Sequence, residues 1–447
     1  MQTTRREMLK VGLGGLSVVS LASTMPAFLA QFARADAPAT SPVSDDNILV
    51  VVQLSGGNDG LNTIIPVEND IYLKARPGIG IKQKYHKLND DFALNPGMGA
   101  FKELFDQGRL AIVNGCGYPN PNRSHFESMS IWHAADPVNG QQGGWLGHYL
   151  EHLQRGTGPL QAVNIGTELP QALVNDVAPV PSIQSMDEYR LRTESSSSAD
   201  SATIGRMIRE LNAAEKSSPA LQFLSRTATN AIISSDQIRR VTGAYKPDVN
   251  YPENLGNRLK LIAQIIAGNF GTKLFYCDVS GFDTHANQLG THEQVLSNVA
   301  SSIRAFLADL DAKKLADKVV VMCFSEFGRR VAQNDSGGTD HGAAGPMFVV
   351  GNKVNGGLFG QYPSLDKLES GDLKYTTDFR RVYATLLDGW LNVDSPAVLQ
   401  NRFEPIAMLD NLPASISPAA HPSQIQTSEP EQKDPEDGGM MMKMNGL

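Results

Sequence analysis

The most constraining feature of this chain is a set of short, unbroken apolar runs, each ending at once in glycine and polar residues. They are NILVVVQL (Asn47–Leu54), RLAIVNGCG (Arg109–Gly117), TKLFYCDVSG (Thr272–Gly281), KVVVMCFSEFG (Lys318–Gly328) and PMFVVG (Pro346–Gly351). A strand with one wet face alternates apolar and polar residues; these runs do not, so both faces of each are predicted to be buried. Strands of this kind belong to parallel sheets covered by helices. Before the second run, GMGAFKELFDQG (Gly97–Gly108) is helix-like. Between the third and fourth, HEQVLSNVASSIRAFLADLDAKK (His292–Lys314) places Val295, Val299, Ser302 or Ile303, Phe306 and Leu310 at three-to-four spacing, an amphipathic helix. Strands alternating with helices predict an α/β fold, a mostly parallel sheet with helices on both faces. In such sheets ligands bind beyond the carboxyl ends of the strands.

The 447 residues suffice for one large domain or two ordinary ones, and 41% hydrophobic content supports a real core. The N-terminus stands apart. TTRREMLK (Thr3–Lys10) carries Arg5-Arg6, a Gly- and Ser-diluted apolar stretch follows, and ARADA (Ala33–Ala37) offers small residues for cleavage. Residues 1–37 therefore read as a twin-arginine export signal, with the twin-arginine translocation machinery as a partner and a periplasmic or secreted destination. A retained anchor and a mitochondrial-type presequence are the alternatives; the stretch is barely long enough to span a bilayer, and its glycines weaken it. No later stretch reads as a membrane span. The net charge of −8 argues against nucleic acid as a partner. Cys116, Cys277 and Cys323 are an odd count at wide spacing, so they read as buried thiols rather than a disulfide framework.

An α/β domain is expected over 45–410, with an insertion at about 150–255 that contains a Ser-rich loop, RTESSSSADSATIG (Arg192–Gly205). Residues 411–447 read as a disordered tail. Its Met440, Met441, Met442 and Met444 are of a type that binds Cu(I), but no spacing fixes a geometry, so a plain tail is the better reading.

The chemistry gathers where the apolar runs end. After the first comes GGNDGLN with Asp59. After the second comes YPNPNRSHFES with Arg123, Ser124 and His125. After the third comes SGFDTHANQ with Asp283 and His285, after the fourth Glu326, and then NDSGGTDHGAAGP with Asp340 and His341. If the strands are parallel, these turns converge on one sheet edge. Carboxylates, imidazoles and a hydroxyl gathered there suit a divalent metal such as Zn²⁺, Mn²⁺ or Ca²⁺. Each residue has a plainer reading. Asp59 fits an Asx turn, Ser124 with Glu127 has the spacing of a capping box, and Asp283 with His285 fits a hydrogen-bonded turn. Singly the plain readings win; five such turns at the expected strand ends reverse that. A hydroxyl opening a helix lies beside free N–H groups and the positive dipole end, which suits an anionic substrate. A metal beside Ser124 lowers its hydroxyl pKa, and Arg123 has the fork to clamp phosphate or sulfate.

In order and content, QLSGGNDGLNTIIP, PNRSHFESMSIWHAAD, GFDTHANQ, FSEFGRR and GGTDHGAAGPMFVVG resemble the alkaline phosphatase–sulfatase superfamily. More closely, they resemble an uncharacterised bacterial family of that clan, exported by the twin-arginine route and known as a domain of unknown function. The resemblance spans Gln53–Gly351. It implies an alkaline-phosphatase-like fold, one or two bound divalent metals, and transfer of phosphoryl or sulfuryl groups. It implies metal-ligand roles for Asp59, Asp283, His285 and His341, with Ser124 as the nucleophile that opens a helix. Two departures stand out: DTH is shorter than the usual acid-to-histidine gap, and SEFG stands where the clan has Ser-Asp-His-Gly. Glu326 can still ligate but Phe327 cannot, so a second metal would lose a nitrogen ligand.

The expectation is an exported metal-dependent hydrolase or transferase acting on a small anionic ester or polymer, with Ser124 and Arg123 catalytic and Asp59, Asp283, His285, Glu326 and His341 at the metal. The alternative is a non-catalytic periplasmic or cell-surface binding or assembly protein on a degenerate scaffold. A Ser–His–Asp esterase is weaker, because no G-x-S-x-G elbow surrounds Ser124 and the adjacent His125 is poorly placed as its base.

Overall fold

The computed structural model describes residues 47–138, 143–153, 160–176, 180–184 and 242–410. The stretches expected to be an export signal (1–37), a Ser-rich loop and a disordered tail (411–447) lie outside the described residues. The five apolar runs form β1 (Ile48–Leu54), β2 (Leu110–Gly117), β4 (Leu274–Val279), β5 (Val319–Phe324) and β6 (Gly345–Val350), and β3 (Ala162–Ile165), β7 (Gly357–Phe359) and β8 (Thr377–Asp378) join them. The sheet order is β7-β2-β6-β5-β1-β4-β3, with β8 also on β2.

Every pairing is parallel except those of β6, which runs antiparallel to both β2 and β5. The buried runs therefore form the mostly parallel sheet their patterning predicts, with one strand reversed. The stretch expected to be an insertion at 150–255 supplies β3, which pairs with β4 as the edge strand. At four residues with a central asparagine, β3 carries too weak a pattern to read from sequence.

Alternate residues of each strand feed two cores. Val50, Val52, Phe275, Cys277, Val319 and Val321 face α2 (Leu255–Ala267) and α3 (Gln288–Ala312). Leu49, Val51, Tyr276, Val320 and Met322 face α1 (His125–Ala134) and α4 (Arg380–Gly389). Burial on both faces is why the strands carry no polar alternation. Of the three-to-four row expected on α3, Val299, Ser302, Ile303, Phe306 and Leu310 are buried and Val295 is half-buried against the core. No described helix is long and apolar enough to cross a membrane.

Register sets the site. Leu54 pairs with Val279, and Gln53 with Phe324, so β1, β4 and β5 end level with one another. Because β6 is reversed, its entry at Gly345, opposite Cys116 near the end of β2, lies at that same edge. The turn before β6 thus meets the turns that follow β1, β2, β4 and β5.

Candidate metal centre at the sheet edge

The turn after β1 fits only because it lacks side chains. Gly56 has φ +122° and a Cβ there would lie 2.3 Å from the backbone nitrogen of Asp283; one on Gly57 would lie 2.4 Å from the Phe327 ring. This close approach lets Arg329 stitch the turns together. Its buried guanidinium donates to the carbonyls of Gly56, Gly57 (2.8 Å), Thr339 (2.8 Å) and Phe282 (3.1 Å), and to Asp283 Oδ1 (2.6 Å).

Asp283 is the centre. His285 Nε2 lies 3.1 Å and His341 Nε2 3.3 Å from its Oδ1, and His125 Nε2 lies 3.6 Å from its Oδ2. His285 Nε2 and His341 Nε2 are 2.9 Å apart. Burial pushes the Asp283 pKa up, but the hydrogen bond and charge of Arg329 outweigh it, and the carboxyl ends below its ordinary range.

Each imidazole is held from its far side. His341 Nδ1 faces the Arg123 carbonyl at 2.8 Å; a carbonyl only accepts, so Nδ1 carries the proton and Nε2 its lone pair. His125 Nδ1 lies 2.8 Å from Glu326 Oε1, and His285 Nδ1 3.3 Å from Asp340 Oδ1. The hydrogen bond to Glu326 raises the His125 pKa, whereas burial lowers that of His341. An imidazole that donates one N–H to a carboxylate or carbonyl and aims its other nitrogen inward is arranged as metal-bound histidines are.

The donor set fits a cation. His125, Asp283 and His341 each bring a ligand atom within 4.8 Å of one another. Tetrahedral zinc with bonds of about 2.0–2.1 Å separates its ligand atoms by about 3.3 Å. The separations from Asp283 to the three imidazoles, and that between His285 and His341, run from 2.9 to 3.6 Å. The His285 and His341 Nε2 atoms, 2.9 Å apart, are linked either by a hydrogen bond from His285 or through a shared cation.

The other expected ligands lie elsewhere. Glu326 is 2% exposed and spends Oε1 on the Gly56 N–H (2.8 Å) and His125, with Oε2 beside Ser325 Oγ (2.9 Å). It therefore acts on the cluster through His125. Burial raises its pKa, and the His125 and backbone hydrogen bonds bring it below the ordinary value. Asp59 is not brought to the cluster. It caps the short helix Gly60–Thr63 through the Leu61 N–H (3.2 Å) and pairs with Arg76 Nη1 (2.6 Å), both side chains being fully buried; Gln288 Nε2 also donates to it. Phe327 fills the space beneath the imidazoles, its ring centred 4.8 Å from His341 and 5.0 Å from His125.

Ser124 is the N-cap residue of α1, yet its hydroxyl makes no capping hydrogen bond, and it is exposed. It lies between Arg123, whose carbonyl holds His341, and His125. The helix is anchored by Trp132, stacked on Phe379 and Phe324 with ring centroids 4.2 and 5.5 Å away. Arg123 does not point an open fork outward: its Nε (2.7 Å) and Nη2 both bond Asp372 Oδ2. His125 and Arg329 hold the cluster together, yet the sequence barely marks them. Their only sequence signals are adjacency, to Ser124 and to FSEFG, because their partners lie 201 and 46 residues away.

A family model described as "Protein of unknown function (DUF1501)" matches residues 46–400. No curated protein matches the chain. Among solved structures it is similar to a protein in the alkaline phosphatase superfamily from Vibrio parahaemolyticus (8% identity, 77% of this chain and 73% of that chain covered, TM-score 0.31). It is also similar to the lipoteichoic acid synthase LtaP from Listeria monocytogenes (9% identity, 78% and 80% covered, TM-score 0.31). A third is alkaline phosphatase from the Antarctic bacterium TAB5 (10% identity, 69% and 92% covered, TM-score 0.30). Likeness at this level transfers neither activity nor ligands.

Proposed function

The chain belongs to the DUF1501 family of proteins of unknown function, and from that premise and its site we propose that it is an exported, metal-dependent hydrolase or transferase acting on a phosphate or sulfate ester. The observation that carries this is the convergence of three Nε2 atoms on Asp283, with Ser124, whose hydroxyl makes no capping hydrogen bond, next to His125 in the chain. His125, His341 and Asp283 would hold one divalent ion, with His285 beside Asp283 and His341. An imidazole-rich set suits Zn²⁺ better than Mn²⁺ or Ca²⁺, and Ca²⁺ takes six to eight oxygens. Such an ion would supply Lewis-acid chemistry, polarising an ester oxygen and lowering the pKa of a nearby hydroxyl.

The charges support the reading. Asp283, Glu326, Asp340 and Asp372 set four carboxylates against the guanidiniums of Arg123, Arg329 and Arg330. Without a dication such a site repels an anion; with one it attracts it. Ser124 Oγ attacks phosphorus or sulfur, and its proton leaves with the departing alkoxide as the alcohol. Water, or an acceptor alcohol, then attacks the phosphoryl or sulfuryl group on Ser124, releasing phosphate, sulfate or the new ester, and its proton restores the Ser124 hydroxyl. Glu326 and the Arg123 carbonyl keep His125 and His341 in the tautomer the site needs. Arg123 is fixed by Asp372, so it contributes charge and that carbonyl rather than the expected two-point clamp. Export by the twin-arginine route, and a periplasmic or secreted location, belong to the same proposal.

Purified protein assayed for bound metal and against a panel of phosphate and sulfate esters tests it. No bound metal and no turnover with any metal supplement would sink it. Phe327 under the imidazoles and Asp59 committed to Arg76 favour a second reading, a non-catalytic binding protein on the same scaffold. If Ser124→Ala and His341→Ala each abolish the biological role while the fold persists, the pure scaffold is excluded.

A further inference from the structure

Beside the imidazole cluster lies a charged group that chemistry at Ser124 leaves unused. Asp372, its side chain 4% exposed, stands between two half-exposed arginines, Arg123 and Arg330. Arg123 takes Oδ2 with two N–H groups. The other oxygen, Oδ1, is buried without a hydrogen-bond partner among the described residues. Arg330 Nε is 3.7 Å from it, outside hydrogen-bond reach. Arg123 thus takes the hydrogen bonds of the carboxylate and Arg330 pairs with it by charge alone, so two guanidiniums share one carboxylate and the trio keeps a net positive charge.

Arg330 is nevertheless fixed to the site through its backbone. Its N–H donates to the carbonyl of Asp340 (3.0 Å), the residue before His341, and its own carbonyl accepts from Arg76 Nη2 (2.8 Å). The turn Glu369–Asp372 runs below the guanidinium, and a Cβ on Gly371 would lie 3.5 Å from Arg330 Nη1. A fixed backbone carrying a guanidinium that is ion-paired but spends no N–H on its carboxylate, with a buried acceptor lacking a hydrogen bond beside it, is built to receive a ligand group.

We propose that Arg330 binds a second anionic group of the substrate, distinct from the ester that reacts. The substrate class is then a phosphate or sulfate ester bearing at least one further phosphate, sulfate or carboxylate, as in a multiply sulfated or phosphorylated glycan. Asp372 Oδ1 accepts a hydroxyl of the same ligand. The guanidinium fork matches two oxygens of such a group, which a monoanionic ester lacks. This inference rests on the ester-binding reading above.

The test is calorimetric binding of methylphosphonate and of alkylene bisphosphonates with one to six methylenes to the zinc-loaded full chain. We expect the wild type to bind one bisphosphonate length at least tenfold more tightly than methylphosphonate. Arg330→Gln should bring that ratio close to one, and Arg330→Lys should restore part of it. Arg304→Gln, a surface arginine paired with Glu103, should leave the ratio as it is. A wild type that binds methylphosphonate without any bisphosphonate preference overturns the inference alone, as does a preference that survives in Arg330→Gln. A wild type that binds no phosphonate overturns the ester-binding reading and this inference with it.

Discussion

Asp59→Asn separates a structural carboxylate from a metal ligand. Asn keeps the shape and caps helices as well as Asp does, so the bond to the Leu61 N–H survives. What is lost is the charge opposite Arg76, whose side chain is 0% exposed. Breaking a buried ion pair by removing one partner costs about 3–5 kcal/mol. Arg76 keeps neutral acceptors in Asn62 Oδ1 (2.8 Å), the Val331 carbonyl (2.9 Å) and the Arg330 carbonyl (2.8 Å), so the lower end, about 3 kcal/mol, is expected. With a urea slope of about 3 kcal/mol/M, the unfolding midpoint falls by about 1 M. Zinc stoichiometry stays that of the wild type. The double variant with Arg76→Met should be more stable than Asp59→Asn alone, since it leaves no orphaned charge. An unchanged midpoint with lost metal would refute the placement of Asp59 and make it a ligand.

Three further outcomes follow from the same geometry. Ser124→Ala should abolish ester turnover while shifting stability by less than about 0.5 kcal/mol, because the hydroxyl caps nothing; a capping serine would cost about 1 kcal/mol in a denaturation curve. Glu326→Gln should weaken zinc about 10–100-fold in a competition titration, because it loosens the group that orients His125. His133 and His292 are buried with pKa values lowered to about 4 by burial. The unfolded chain binds their protons at about 6.5, so stability is full above that pH and falls between about 6.5 and about 4, by about 3 kcal/mol for each. His133→Gln should flatten its share in urea midpoints measured across that window.

Much of the fold is legible in the sequence because burial on both faces leaves a local mark: the apolar runs of β1, β2, β4, β5 and β6 need no partner to be recognised. Their level ends bring together turns that the sequence marks, among them those of Asp283, His285 and His341. Strand direction leaves no such mark, and the reversal of β6 emerges only in the pairing. Asp59 shows the limit of reading residue type from turns. An acid after a buried strand looks the same whether it faces a metal or a guanidinium, and Arg76, 17 residues on, decides which. Glu326 lies at the sheet edge, as its place after a buried strand implies, yet its orientation toward His125 depends on where α1 packs.

Everything proposed for the site depends on the imidazoles and Asp283 holding one divalent ion. Elemental analysis with zinc K-edge X-ray absorption on the purified, zinc-loaded chain addresses this without intermediaries. The geometry predicts one zinc per chain, with imidazole nitrogens and a carboxylate oxygen at about 2.0–2.1 Å, and loss of that signal in His341→Ala. No stoichiometric metal, or a ligand sphere without imidazole nitrogen, would contradict it.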